Sequence, residues 1–529
     1  GDVYKRQLLE LEYTLIPHGL HVVGQVPNES ERSGLLQAML EVSLGQPPQD
    51  GVVKDLLGGL SSNQIVIKYP SLLENVEQEQ LIILLDKMIA SNQLMLQETE
   101  VAGILKALDG HYIAPAAGGD VMRNPDVLPT GRNLHGFDPF RIPSVFAVQD
   151  GAKQAQKIVE KYMADGNSIP ESIAIVLWGS DNLKSEGGQI GQALALMGAL
   201  PRFDSYGRLA GATLIPLAEL GRPRIDVVIT LSGIFRDLMP LQIKLLAEAA
   251  FLAASADEPL EQNFIRKHAL AYQEEHGCDL ETAALRVYGN ADGAYGANVS
   301  NMIESSVWDE EDELAETYTR RKGFAFGKAG KPIQNNQILK SVLSNVDLTY
   351  QNLDSMELGV TTIDNYFDTL GGITRAVRRA KGGQDVPVYI GDQTKGEGAV
   401  RSLSEQVSLE TRTRMLNPKW YEGMLEHGYE GVRQIEVHIT NTMGWSATTG
   451  QVQPWVYKQL TETFLLDPKM RERLAQLNPT AALRMGNRLS EASQRNYWQP
   501  TELMKNQMQQ ANDDLEDRLE GVYDGVQVA

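Results

Sequence analysis

Apolar residues recur at three- and four-residue spacing from Leu8 to about Leu108, most plainly in LLQAMLEVSL and EQLIILLDKMIASNQLMLQETEVAGILKAL. That spacing puts them on one face of a helix, so the pattern predicts a helical region over 1–108. The pattern then breaks. GHYIAPAAGGDVMRNPDVLPTGRNLHGFDPFRIPS carries five prolines and a Gly-Gly pair, which no regular helix tolerates, so 109–150 is expected to be a Gly/Pro-rich polar loop segment.

Periodicity returns with a helix expected over 154–165. SIAIVLWG follows as a short, nearly continuous apolar run ending at Gly179, the signature of a strand buried on both faces. A helix over 191–198 and a second such run, RIDVVITLSG, make a strand–helix–strand unit and hence a parallel sheet with helices on its faces. Helices are expected over 237–255 and 256–288, then a Gly- and Asn-rich stretch, GNADGAYGANVSN, and an acidic helix start in WDEEDELAET. VPVYIGD reads as a third strand before a helix over 399–415. The remainder reads as helices with breaks at Pro418, Gly444, Pro454 and Pro479. The expected fold is α/β and multidomain, a parallel α/β middle region flanked by largely helical ones. Its regions are 1–108 helical, 109–150 loop, 151–345 α/β, 346–415 an acidic loop plus a strand–helix unit, and 416–529 helical. A chain of 529 residues exceeds one hydrophobic core.

Charge narrows the partners. The 69 acidic against 48 basic residues leave a net charge of −21, a field that repels phosphate backbones and anionic lipid, so nucleic acid is not an expected partner. No run approaches the roughly 20 apolar residues of a transmembrane helix. Cys278 is the single cysteine, which excludes disulfides within the chain and Cys-rich metal sites and fits a reducing compartment. Gly1 to Gln7 is polar and lacks both an initiator Met and a signal core, so the chain is expected to be the truncated C-terminal part of a longer protein, the alternative being a processed N-terminus.

Candidate chemistry is sparse. GKAGKP at Gly327 lacks the spacing and the hydroxyl residue of a P-loop, and no G-x-S-x-G, H-E-x-x-H or Cys-His zinc pattern occurs. His18 and His21 are three apart, a spacing that on a helix would turn both toward one metal, but Pro17 and Gly19 argue for a turn there. His427 and His438 share a helix face only if Gly428 and Gly431 do not break it, with capping or interhelical bonding as the alternative. His111, Tyr112, Arg123, Arg132, His135 and Asp138 collect in one loop that either holds side chains toward a ligand or ties down a linker. Arg236 and Asp237 stand just beyond a strand end, where open α/β sheets bind ligands, or they form a structural ion pair. NLDSMELGVTTIDNYFD offers Asp354, Glu357, Asp364 and Asp368 beside Tyr366 and Phe367, oxygen ligands of the kind Mg²⁺ prefers or proton acceptors, against the reading of solvated surface.

GRPRIDVVITLSGIFRDL, RKHAL, LPTGRNLHGFDP, YQNLDSMEL, NPKWYEGMLEHGYEGVR and NTMGWSATTGQVQPWVY together resemble the large subunits of magnesium chelatase and aerobic cobaltochelatase. The likeness runs from about Leu8 to Val522, and NTMGWSATTGQVQPWVY, with Trp445 and Trp455, looks closer to the magnesium branch. The resemblance implies a subunit that binds protoporphyrin IX and inserts Mg²⁺ in (bacterio)chlorophyll biosynthesis. ATP would be bound and hydrolysed by two separate AAA+-type partner subunits, in the cytoplasm or the plastid stroma. In that scheme Asp368 and Glu357 deliver metal or accept protons, His111 and His135 act as secondary bases, and Arg132 and Arg236 hold propionates. Asp138 and Trp178 join the substrate contacts, and Asp354, Asp364 and Asp368 form the metal set. One departure stands out: SEGGQ carries Gly188 where family members carry an acid, with Glu186 just before. A cobaltochelatase subunit acting on a corrinoid, or a porphyrin carrier without chelation, are the alternatives.

Overall fold

The structure is a computed structural model that describes residues 22–44, 46–73, 76–117, 121, 125–135, 138–355, 358–394 and 398–521. His18, His21, Arg123 and Glu357 lie outside the described residues. The N-terminal helices, Glu29–Leu44, Val52–Leu57, Ser62–Lys68, Gln78–Met95 and Glu100–Leu108, follow the apolar spacing of the sequence. Leu36, Met39, Leu81, Leu85 and Met88 form the centre of a core of their own.

The second, larger core runs from Ile142 to Leu515 and wraps an eight-stranded sheet. Its strands are β1 (Ser172–Leu177), β2 (Asp226–Leu231), β3 (Val287–Gly289), β4 (Phe324–Phe326), β5 (Pro332–Gln334), β6 (Leu348–Leu353), β7 (Val388–Asp392) and β8 (Ala399–Ser402). The order across the sheet is β8-β7-β6-β1-β2-β3-β4-β5. The five strands from β7 to β3 are parallel. The edges β8, β4 and β5 run antiparallel to their neighbours. β6 to β8 belong to the same sheet as β1 to β5, so one sheet runs across the expected boundary between 151–345 and 346–415, and the C-terminal helices pack into the same core.

Several expected elements change for local reasons. The helix expected over 256–288 is instead Phe264–His276, closed by Gly277 at φ +65°, then the short Leu280–Ala283 capped by Asp279, then β3. The stretch expected as a helix over 399–415 begins as β8; Ser402 then caps the helix Leu403–Glu410, and Thr411–Met415 continues it as a π-turn. β6 is a strand that hydropathy hides: in LTYQNL the polar Thr349, Gln351 and Asn352 interrupt the apolar residues, yet they are buried alongside Leu348 and Tyr350. Gly444 breaks nothing. The helix Gly428–Thr449 runs through it, and a Cβ there would stand 2.8 Å from the Phe367 ring, so the glycine permits a close crossing. Pro418, Pro454 and Pro479 open helices, the first-turn position proline favours. His427 ends up exposed and His438 buried, so the two do not converge.

At the amino end of β2 sits a charge cluster. Asp226 and Arg286 are each 1% exposed, with Arg286 Nε donating to Asp226 Oδ1 over 2.7 Å. His268 Nδ1 lies 2.9 Å from the other Asp226 oxygen and its Nε2 3.3 Å from Glu171, which in turn pairs with Lys267 at 2.6 Å. Burial alone would raise the Asp226 carboxyl, but Arg286 and His268 outweigh it and hold it below the usual range.

Candidate functional site

From β1 the sheet grows one way through β2 and β3, and the chain then returns to lay β6 on the other side of β1. Such a reversal opens a crevice at the carboxyl ends of the two strands, where the following loops diverge, and this is where open α/β sheets bind ligands. Trp178 follows β1 and Asp354 follows β6, so both stand at that crevice.

Gln189, from the helix Gly188–Met197, ties its two sides together. Its Nε2 lies 3.3 Å from Asp181 Oδ2 and 3.2 Å from Asp354 Oδ2, while its Oε1 accepts from the Trp178 backbone N–H and from Asn182, both at 3.0 Å. Trp178 Nε1 donates to Gln351 Oε1 over 3.2 Å, and its ring meets Tyr366 at a centroid distance of 5.2 Å. The helix Gly179–Lys184 starts here because Gly179 can sit against the helix Gly233–Leu238: a Cβ on Gly179 would lie 2.5 Å from Ile234, and one on Gly233 would lie 2.2 Å from the Tyr295 ring.

Between these turns lies a cavity of about 220 Å³ whose walls include Trp178, Asp181, Ser232, Tyr295, Lys322 and Tyr366. Among the described residues Asp181 is the one acid on its wall, 5% exposed, and burial raises its carboxyl above the ordinary value while Lys184 opposes the shift. Lys322, in the last turn of the helix Glu311–Lys322, is 1% exposed and donates from Nζ to the Leu231 carbonyl at the end of β2 over 2.8 Å. Burial pushes its ammonium down to about 8; Arg236 and Arg321 push the same way and Asp368 opposes them.

The residues singled out in the sequence fall in different places. Trp178 lines the cavity, and Asp354 is joined through Gln189 to Asp181 on its wall. Asp368 lies in the π-turn Phe367–Gly371 behind the wall, and its two oxygens accept backbone N–H bonds from Ala297, Val299 and Ser300. It therefore shapes the 296–300 turn, which delivers Gly296 to the cavity, and three of its roughly four lone-pair positions are taken by backbone N–H groups. Asp364 opens the short helix Asp364–Tyr366 and acts on Glu304. Among the described residues no group of three His, Cys, Asp or Glu is arranged to hold a metal ion, so the expected set of Asp354, Asp364 and Asp368 does not assemble.

The two arginines expected to hold propionates are committed elsewhere. Arg132 donates to the carbonyls of Asp126, Val127, Leu128 and Pro129 in its own loop. Arg236 is occupied by the Ala291 and Ala294 carbonyls and by Asp237, the structural pairing that was its alternative reading. His111 is exposed and pairs with Asp109 at 2.9 Å, and Asp138 caps its own turn through the Phe140 N–H at 3.0 Å. None of His111, Arg132 and Asp138 lines the cavity. His135 ends a three-residue strand paired with Pro115–Ala117, and its side chain lies outside the described residues. At the departure in SEGGQ, Glu186 is exposed and Gly187 turns the chain at φ +96°, with Pro143 too close to admit a Cβ.

Sequence reasoning missed Asp181, Gln189 and Lys322. Asp181 carried the same cue that singled out Arg236, a charged residue within a turn of a parallel strand's end. Lys322 carried none, since RRK closing an acid-led helix is what favourable helix-end charge looks like.

Comparison with known proteins gives the following. Residues 2–505 match the CobN/Magnesium Chelatase family. The chain is 56% identical over 523 residues to the H-type magnesium-chelatase subunit of Cereibacter sphaeroides, covering 98% of this chain and 40% of that protein. It is 42% identical over 435 residues to the chloroplastic magnesium-chelatase subunit ChlH of Oryza sativa subsp. indica, covering 81% of this chain and 31% of that protein. Among solved structures, the catalytic subunit of cobaltochelatase from Mycobacterium tuberculosis superposes with a TM-score of 0.80 at 30% identity, over 96% of this chain and 46% of that one. The chain thus spans less than half the length of each of these proteins.

Proposed function

Because this chain belongs to the CobN/magnesium chelatase family, we propose that it is part of an H-type subunit that binds protoporphyrin IX and inserts Mg²⁺ as one component of a magnesium chelatase. The observation that carries this is the 56% identity to an H-type magnesium-chelatase subunit across 98% of the chain. The crevice at the carboxyl ends of β1 and β6 supports a location for that binding. Two AAA+-type partner subunits would bind and hydrolyse ATP, in keeping with the lack of a P-loop at GKAGKP. The setting is (bacterio)chlorophyll biosynthesis in the cytoplasm, or in the plastid stroma of a phototrophic eukaryote; no described helix is long and apolar enough to cross a membrane.

The cavity's size limits what it holds. Pockets for drug-sized ligands run to about 300–1,000 Å³. At about 220 Å³ this one takes an edge of a porphyrin, and the rest of the macrocycle is left to other surfaces. Insertion requires the ring to lose two pyrrole protons and Mg²⁺ to shed water it holds tightly. Asp181 is placed to take a pyrrole proton, because a buried carboxylate with a raised pKa is a stronger base than an exposed one, and Gln189 fixes one of its oxygens. Asp354, held by the same amide, is the second carboxylate within that network and serves to draw the hydrated ion toward Asp181.

Titrating the chain with deuteroporphyrin IX and following the fluorescence of its six tryptophans tests the reading. Saturable quenching that shrinks in Trp178→Phe is the expected result. Full-length protein mixed with its ATPase partners and MgATP should insert Mg²⁺. Insertion of Co²⁺ into a corrinoid instead would transfer the site to the cobalt branch, and tight binding with no insertion would leave a carrier.

A further inference from the structure

Four cations stand near the carboxyl end of β2, and their partners separate them. Arg236 is held by two carbonyls and Asp237, Arg321 donates to the Tyr295 carbonyl, and Lys184 lies on the outer side of its short helix, exposed to solvent. Lys322 alone lines the cavity, nearly wholly buried, and its one hydrogen bond goes to a neutral carbonyl, that of Leu231. A lysine is almost never buried without a counter-charge. Here no ion pair includes Lys322 among the described residues, and Asp368, the acid that acts on it, makes its own bonds to three backbone N–H groups. An ammonium has three donors, so two remain.

The next residue supplies another donor. Ser232 also lines the cavity, and its Oγ accepts N–H bonds from Gly179 at 3.0 Å and Phe235 at 3.2 Å. Both of those use the oxygen's lone pairs, which leaves the hydroxyl proton without an acceptor among the described residues. The end of β2 therefore presents a buried cation and a neutral donor on one wall of one cavity, the complement of a carboxylate with its two oxygens.

We propose that Lys322, assisted by Ser232, binds a carboxylate of the crevice's ligand, a porphyrin propionate on the reading given above. This places the charge recognition at a residue that neither the loop arginines nor the acidic cluster suggested, and it orients the macrocycle with its acid-bearing edge inward.

The inference rests on porphyrin binding, and the test separates the two. Deuteroporphyrin IX and its dimethyl ester are titrated into the wild-type chain and into Lys322→Met, with propionate alone as a third ligand. Wild type is expected to favour the diacid by roughly ten- to hundredfold, the scale of a hydrogen bond to a charged group. Lys322→Met should lose that preference while binding the diester as wild type does, which also shows that it folds. Propionate should compete only at far higher concentration than the diacid. No binding of either porphyrin by wild type would sink the function itself. Equal wild-type affinity for diacid and diester, a preference that survives in Lys322→Met, or propionate matching the diacid would each overturn the assignment to Lys322 while leaving porphyrin binding in place; the first of these needs no variant at all.

Discussion

The two ends of strand β2 carry buried charge in opposite ways. At the amino end Asp226 meets Arg286 and His268, His268 reaches on to Glu171, and Glu171 pairs with Lys267, so each charge has an opposite charge beside it. At the carboxyl end Lys322 meets one backbone carbonyl, and Asp181 meets an amide. The strand between them, Asp226–Leu231, is buried throughout. Burial is thus common to both ends, and what differs is charge pairing. A paired cluster holds the sheet to the helix Phe264–His276; an unpaired charge costs stability and makes sense where a ligand completes it.

Removing Asp226 should hurt most. Asp226→Ala leaves Arg286 buried without its counter-charge and should cost about 3–5 kcal/mol in chemical denaturation. A cost comparable to a surface substitution would mean that charge at the amino end is no better paired than at the other. Asp181→Asn keeps the shape of the crevice and removes its base. In the reconstituted full-length system it should slow Mg²⁺ insertion roughly hundredfold with porphyrin affinity little changed. An equal loss of both would make Asp181 a binding residue.

Next in size is a pH effect. Lys322 is pushed from 10.5 in the unfolded chain down to about 8 in the folded one, so between those values the unfolded state holds the proton that the native state has released. Stability from this group therefore rises with pH across that window and is lost as pH falls through it, by on the order of 2 kcal/mol. The charged groups acting on it are Asp368, Arg236 and Arg321, and the difference between wild type and Lys322→Met, measured from pH 7 to 10, isolates its share. A flat difference would show that the ammonium is better solvated than its burial implies. The smallest effect is expected for Lys322→Met at neutral pH, within about 1 kcal/mol of wild type or more stable, because the charge it removes was never paired. A loss matching that of Asp226→Ala would erase the contrast between the two ends.

How much of this the sequence disclosed depended on how each element is buried. β1, β2 and β7 were legible because each carries a nearly continuous run of apolar residues, IAIVL, VVITL and VYI, and the N-terminal helices because one face is apolar. β6 was not, since Thr349, Gln351 and Asn352 are buried through hydrogen bonds such as Thr349 to Thr374, and a hydropathy pattern does not register a satisfied polar side chain. Missing β6 hid the chain reversal, and with it the crevice. Trp178 entered only through the family resemblance, and the structure puts it on the cavity wall. Asp368 was conspicuous as an acid beside aromatics, yet it serves backbone N–H groups, a fate no spacing rule signals. Lys322 depended on where its helix ends in space relative to β2, which only the fold determines.

The sheet's two borders bear on how this chain meets other proteins. On one side it finishes with the three residues of β5, beginning at Pro332, which has no N–H to give; on the other it finishes with the four of β8. Strand-by-strand extension needs a long, flat row of open N–H and C=O groups, and neither border offers one. A neighbouring subunit or a second copy gains little by adding a strand here. Contacts with such proteins fall to helix faces and loops, whose side chains can tell one partner from another, and a template for indiscriminate pairing is closed off.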